Sequence, residues 1–361
     1  MVSFTTSLLG KFTLASIVIY CITLTLLETL VIMFHLEFVS KFILTQNGNG
    51  ISESDLIYHA IFITSLVFQV ILCLDALIHK NIIQLKALIA FNILSLAYAA
   101  VQIYQHIILE EEGTNEAIFS PDDETKFPTP EFTKNYFIKK MRPIEYIIAG
   151  LVSGYSIFLG YLSYKLMGEF GWENYKLYSG DLQIRNALVS LTLLHTLIKL
   201  DAFFILSYAL QLLPSKSIGY SDSIFETVSI FIGGFIIMSM AWYSVSKEMK
   251  YLLLFVINLS IFSSIYMVYR IVKILISRSG EMDPYKFTRK LLLFTLITTF
   301  VLVCVTIYYA IISFKNMNRG VYVFTAYQSS AIPQDVGDRT SKRFSKIAEV
   351  TVARRSSINL D

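Results

Sequence analysis

Long apolar runs separated by short polar segments dominate the chain. Eight of these runs have the length of about 20 residues with which a helix crosses ~30 Å of hydrocarbon. They cover residues 12–34, 56–78, 83–108, 144–166, 187–213, 224–245, 251–276 and 291–313. The pattern predicts an all-α polytopic transmembrane helical bundle of about eight spans. Seven spans are the alternative, in which one run is re-entrant or lies in the membrane interface.

The composition supports a membrane protein and excludes other classes. Hydrophobic residues make up 55% of the 361 residues and charged residues only 16%, whereas soluble domains have about 25% charged residues. The formal net charge of +3 is small and dispersed, and no nucleic-acid-binding motif is present. We therefore expect the lipid bilayer as a partner and no nucleic acid; the sequence identifies no protein partner.

The polar segments define the predicted domain organisation. Residues 1–313 form the transmembrane helical domain, which contains an acidic loop at 109–143. Residues 314–361 form a basic tail that we expect to be disordered, cytosolic and able to contact anionic lipid. The first run is too long for a cleaved signal peptide and predicts a retained signal anchor. We expect both chain ends in the cytosol, although the distribution of Lys and Arg favours this orientation only slightly.

The fifth run carries ionisable residues at its centre: His195, Lys199 and Asp201. A charge at the middle of a bilayer costs roughly 2.5–3.5 kcal/mol, so such residues are expected to be paired or hydrated. On a helix, Lys199 and His195 share a face, while Asp201 lies about 200° round from Lys199. Lys199 and Asp201 therefore need partners from other helices.

Depth in the membrane suggests those partners. Glu28 lies well inside the first run and is the predicted partner of Lys199, while Asp75 is close enough to a boundary to reach the headgroups unaided. Asp201 could contact Tyr266, Asn258 or a water-filled cavity. The predicted polar intramembrane cluster is Lys199, Asp201, His195 and Glu28. It either lines a pocket or ion path, or forms a fixed salt-bridge network without a ligand.

The remaining histidines do not indicate a metal centre. His35, His59, His79 and His106 all lie near the ends of runs, and only His195 is central. The chain lacks the HExxH, GxSxG and P-loop motifs. We therefore predict no catalytic residue, no metal site, no cofactor and no enzymatic activity.

Three blocks of residues resemble a known family in content and order. They are Trp172-Glu173-Asn174-Tyr175-Lys176, then Ile198-Lys199-Leu200-Asp201-Ala202-Phe203-Phe204 followed by Gln211, then Asp283-Pro284-Tyr285 with Arg289-Lys290. With these blocks the chain resembles a fungal family of multi-pass Golgi apparatus membrane proteins whose biochemical function is unassigned. The resemblance covers about half the chain, from the fourth run to the start of the tail. It implies a helical polytopic fold and a Golgi location, and it implies no substrate or cofactor.

Two functions are compatible with these observations. The first is a carrier or solute-sensing protein of the Golgi membrane with a buried polar centre. The second is a non-catalytic scaffold or trafficking factor that acts through the acidic loop and the basic tail. Internal duplication would favour a carrier, because many carriers are built from repeats, and none is apparent in the sequence.

Overall fold

A computed structural model describes residues 7–108, 110–111, 117–121, 125–177, 182–213, 223–276, 285 and 288–321. In these residues the chain forms α1 (Leu8–Val39), α2 (Gln46–Ile78), α3 (Ile82–Ile108), α4 (Pro130–Leu177), α5 (Leu182–Gln211), α6 (Ser223–Ser246), α7 (Lys250–Leu275) and α8 (Arg289–Asn318). All eight helices are long and apolar enough to cross a membrane. The predicted eight-span helical bundle is confirmed. The segment with Asp283 and Pro284, and the tail from 322 onward, lie outside the described residues.

The helices form two groups of four with the same arrangement of neighbours. In the N-terminal half, α1 to α4, each helix packs on the next and α4 packs back on α1. In the C-terminal half, α5 to α8, each helix also packs on the next and α8 packs back on α5. The two halves meet where α5 contacts α2 and α3 and where α8 contacts α3. We call this contact surface the seam.

Aromatic side chains fill much of the seam. The Phe203 ring stacks on Phe68 with centroids 4.9 Å apart, and it meets Phe91 edge-on at 5.0 Å. Phe204, the next residue, also contacts Phe91 at 5.7 Å. Such pairs contribute about 0.5–1.5 kcal/mol each beyond the burial of their area. The Phe-Phe pair that follows Asp201 in the sequence therefore joins the two halves.

The fourth helix begins earlier than the hydrophobic pattern predicts. The sequence places a loop up to 143, whereas α4 begins at Pro130. The Thr129 hydroxyl accepts a hydrogen bond from the Phe132 N–H at 3.2 Å, and proline is favoured at a first helical position. Pro143 lies inside the helix. The early start makes Arg142 and its neighbours part of a helix that packs against α1 and α3.

A small sheet lies close to the end of α1 and the start of α4. Strand β1 (Phe42–Ile43) follows α1 and pairs antiparallel with β2 (Ile118–Phe119), which precedes α4. A buried cluster beside this sheet is made of Phe38, Phe42, Phe127, Phe137 and Met141. Because consecutive spans alternate in direction, α1 and α3 finish, and α2 and α4 begin, at one end of the N-terminal half. We call it the capped end.

Candidate functional site

Lys199 lies at the seam, where it donates a hydrogen bond to the Asp75 carboxylate. Gln84 on α3 donates to the same carboxylate. The Lys199 ammonium also lies 5.4 Å from the centroid of the Trp242 ring. The predicted pairing of Lys199 with Glu28 is wrong, because α5 packs on α2 and α3, and Lys199 pairs with Asp75 of α2. The pair connects the two halves of the bundle.

Asp201 is completely buried inside the C-terminal half. One of its carboxylate oxygens accepts a hydrogen bond from the Thr306 hydroxyl at 2.5 Å. The other has no hydrogen-bond partner among the residues that the structure describes. Asp201 and Ser260 line a cavity of about 20 Å³, which has room for one water molecule. The sequence predicted that Asp201 contacts Tyr266, Asn258 or a cavity, and the structure supports the cavity.

The other two predicted partners of Asp201 make different contacts. Tyr266 hydrogen bonds with Glu226 on α6. Asn258 donates to the Leu254 carbonyl of its own helix at 2.9 Å. His195, the remaining member of the predicted cluster on α5, meets the Trp242 ring edge-on at 4.7 Å. The pairings of Asp201 with Tyr266 and with Asn258 are therefore wrong.

Glu28 belongs to a second polar centre, in the N-terminal half. Its carboxylate oxygen lies 2.6 Å from His59 Nδ1 and accepts a hydrogen bond from the Gln102 amide at 2.7 Å. All three side chains are buried. The structure therefore separates Glu28 from Lys199, Asp201 and His195, with which the sequence analysis grouped it.

The second centre contains three buried histidines and a buried aspartate near the capped end. We call this set the histidine cluster; its members are His35 on α1, Asp55 and His59 on α2, and His106 on α3. None of the four residues is more than 1% exposed. Their burial indicates that the polar atoms must be satisfied within the protein or by a bound ligand.

The inner atoms of the histidine cluster point at one another. Asp55 Oδ2 lies 3.2 Å from His35 Nδ1 and 3.3 Å from His59 Nε2. Neither approach has the geometry of a hydrogen bond, so these atoms, like His106 Nε2, have no hydrogen-bond partner within the described part of the chain. Ligand atoms of His35, Asp55 and His106 all lie within 4.8 Å of one another. Ring nitrogens and a carboxylate oxygen thus converge on one point.

The outer nitrogen of each ring is held by a polar partner. His35 Nε2 lies 3.0 Å from the Ser52 hydroxyl, and His59 Nδ1 lies 2.6 Å from Glu28. His106 Nδ1 contacts the Glu145 carboxylate on α4. These contacts fix the orientation of the three rings, and the inner nitrogens of His35 and His59 face Asp55.

An ion pair lies between the histidine cluster and the acidic segment that follows α3. Arg142 on α4 donates to Glu110, and its Nε also lies 3.7 Å from Glu145. Burial raises the pKa of the Glu110 carboxyl, while the positive charge of Arg142 acts in the opposite direction. Arg142 was predicted to lie in the loop before the fourth span; in the structure it supports the outer side of the cluster.

The histidine cluster is not visible in the sequence when each apolar run is considered separately. His35, His59 and His106 lie near span ends, as predicted, but they meet at the same end of the half-bundle. A signal was available in the spacing: Asp55 and His59 are one helical turn apart, as are Gln102 and His106. Together with the alternating direction of successive spans, that spacing predicts that the three histidines lie at the same end of the half-bundle.

Another buried charge is an ion pair in the C-terminal half. The Nε atom of Arg270 on α7 lies 2.8 Å from the Glu226 carboxylate on α6. The guanidinium also donates to the Tyr285 hydroxyl at 3.1 Å. A buried pair of this kind is destabilising to break, because the remaining charge is left uncompensated. We assign it to the stability of the half-bundle.

The similarity of the chain to known proteins tests the predicted resemblance. No family model matches the chain, and no solved structure matches it. The chain is similar to a UPF0658 Golgi apparatus membrane protein of Schizosaccharomyces pombe, with 24% identity over 274 residues, 72% of this chain and 75% of the relative. The predicted resemblance is confirmed. The chain is a multi-pass membrane protein of the Golgi apparatus with a buried polar and charged network. The name of the relative assigns no substrate.

Proposed function

We propose that the protein is a non-enzymatic carrier or solute-sensing protein whose binding centre is the histidine cluster. The observation that carries this proposal is the convergence of buried inner atoms of His35, Asp55, His59 and His106. Leaving a buried polar group unsatisfied costs about 1–3 kcal/mol. Several such groups pointing at one another are better explained by a ligand than by the requirements of folding.

The arrangement of the helices supports a carrier. The N-terminal and C-terminal halves each have four spans with the same neighbours, although the sequence shows no obvious duplication. Because four spans return the chain to its starting side, the two halves run in the same direction through the membrane. Parallel repeats of this kind are common in transporters, where the repeats move relative to each other.

The predicted centre on α5 is better explained by a structural role. Lys199 and Asp75 connect the halves across the seam, and Gln84 adds a hydrogen bond to Asp75. This geometry supports the fixed salt-bridge interpretation of Lys199 rather than the pocket. We therefore assign the binding role to the histidine cluster. None of its four members was in the predicted set, which contained only the neighbouring Glu28.

A ligand screen on the purified full-length protein tests this function. We expect at least one class of small solute, among inorganic cations, inorganic anions, organic acids and sugars, to raise the unfolding temperature in detergent. A ligand at 100 times its Kd adds about 2.7 kcal/mol to the stability of the folded state. Asp55→Asn should abolish the shift. Asp75→Asn is the matched control, because it removes a carboxylate of the same helix outside the cluster.

Two results would contradict the proposal. The first is that no solute class raises the unfolding temperature of the wild-type protein. The second is that Asp55→Asn keeps the full shift. If removal of residues 322–361, which leaves α8 intact, then disturbs trafficking while Asp55→Asn does not, the scaffold alternative is supported.

A further inference from the structure

The geometry points to a divalent transition-metal ion of the zinc type as the ligand of the histidine cluster, bound by His35, Asp55 and His106, with His59 beside them. The inference deepens the proposed function by naming a ligand class, and it rests on the histidine cluster being the binding centre.

The donor set selects the class of ion. Neutral imidazole nitrogens with one carboxylate oxygen are typical ligands of Zn²⁺ and related transition metals. Mg²⁺ and Ca²⁺ prefer shells made of oxygen atoms. Two ring nitrogens and one carboxylate therefore favour the transition metals.

The distances inside the cluster match the edges of a small coordination shell. Bonds of about 2.0 Å to a tetrahedral ion place neighbouring ligand atoms about 3.3 Å apart. Asp55 Oδ2 lies 3.2 Å from His35 Nδ1 and 3.3 Å from His59 Nε2. The ligand atoms of His35, Asp55 and His106 all lie within 4.8 Å of one another, which leaves room for one ion between them.

The outer contacts follow the pattern of metal-binding histidines. Such a histidine usually gives its second ring nitrogen to a carboxylate, carbonyl or other polar group, which fixes the tautomer and the ring orientation. His59 and His106 contact Glu28 and Glu145 in this way, and His35 contacts Ser52.

A proton-sharing network of the same residues explains the geometry less well. In such a network, Asp55 would accept direct hydrogen bonds from the inner ring nitrogens. The contacts with His35 and His59 are short but lack hydrogen-bond geometry.

Metal binding by the full-length protein tests the inference. The protein is purified in detergent with a histidine-free tag, stripped with a chelator and titrated with Co²⁺ and then Zn²⁺. We expect one equivalent per chain, with the visible absorption bands of tetrahedral Co²⁺ that disappear when Zn²⁺ displaces it. Asp55→Asn and His106→Gln should abolish these bands. Glu145→Gln, which removes an outer contact, should weaken binding about 10–100-fold.

His79→Gln is the matched control for the histidine variant. Its side chain is 67% exposed and lies outside the histidine cluster, so the titration should not change. If the cluster variants fail to fold, the wild-type protein still tests the inference. Zn²⁺ should raise its unfolding temperature, and Mg²⁺ should not. Octahedral Co²⁺ bands alone, wild-type affinity in Asp55→Asn, or no stabilisation by Zn²⁺ would each overturn the inference.

The results also separate this inference from the proposed function. If another solute class stabilises the protein through Asp55 and Zn²⁺ does not, the metal assignment fails and the proposed function stands. If one equivalent of metal binds but proteoliposomes take up none and metal loading changes no contact between the halves, the site is structural and the proposed function fails.

Discussion

The depth of Lys199 in the membrane predicts that it has a partner but does not identify that partner. The need for a carboxylate partner followed from its depth in an apolar run. The identity of the partner did not, because depth gives no information on which helix α5 packs against or which way each helix is rotated. Asp75 and Glu28 were both available on those grounds. The structure assigns Asp75 to Lys199, and it assigns Glu28 to His59 and Gln102.

The pairing makes a prediction for charge reversal at the seam. Asp75→Lys and Lys199→Asp should each lower the unfolding temperature, because each places two like charges side by side. The double variant should recover part of the loss, with a coupling free energy of about 0.5–3 kcal/mol in a double-mutant cycle. The measurement is thermal unfolding of all four proteins in the same detergent.

The control for this cycle exchanges Glu28 and Lys199. Glu28 contacts His59 and Gln102 in the N-terminal half, so Glu28→Lys with Lys199→Glu should recover nothing. Recovery in this control, together with none in the exchange of Asp75 and Lys199, would restore the original pairing.

At the scale of the helices, the existence of each span could be predicted more easily than its limits. Eight runs became eight helices, but α4 extends back to Pro130. A hydropathy average does not detect that extension, because charged residues lie between its apolar ones. The Thr129 cap and Pro130 are local signals that indicate the start of the helix. The extension matters for the site, since it adds Arg142 to the surroundings of the histidine cluster.

The contact between α5 and α6 depends on one of two adjacent glycines. A Cβ at Gly234 would lie 2.7 Å from Ile205 Cγ2, whereas a Cβ at Gly233 would have nothing within 4 Å. Gly234→Ala should therefore push the two helices apart and destabilise the protein by about 1–3 kcal/mol, measured by thermal unfolding. Gly233→Ala should be neutral or slightly stabilising, because alanine favours the helix. Equal effects of the two changes would show that Gly234 does not set this approach.

At the scale of the whole molecule, the hydrophobic pattern predicted the number of spans and not their grouping. Contacts such as that between Phe68 and Phe203 join residues far apart in the sequence. An apolar run provides the same hydropathy whether it faces lipid, its own half or the seam. The two half-bundles and the convergence of His35, Asp55 and His106 therefore became visible only with the packing.

The orientation of the molecule in the Golgi membrane remains a prediction that the fold makes testable. With both chain ends in the cytosol, Ser40 at the capped end lies in the lumen and Lys247, between α6 and α7, in the cytosol. Both residues are exposed. In a protein from which Cys21, Cys73 and Cys304 have been removed, Lys247→Cys should react with an impermeant maleimide in sealed Golgi vesicles. Ser40→Cys should react only after detergent is added, and the opposite pattern would reverse the orientation.

The distribution of the histidine cluster over successive helices also provides a way to recognise distant relatives. Its residues and their outer contacts form a spaced signature: Glu28 and His35 two turns apart, then Asp55 and His59 one turn apart, then Gln102 and His106 one turn apart. Glu145 on the following helix completes the signature. Overall identity between such membrane proteins decays quickly, because most lipid-facing positions tolerate any apolar residue. A search for this signature across consecutive spans can therefore find proteins with the same histidine and carboxylate positions. It can do so where an alignment of whole chains no longer detects them.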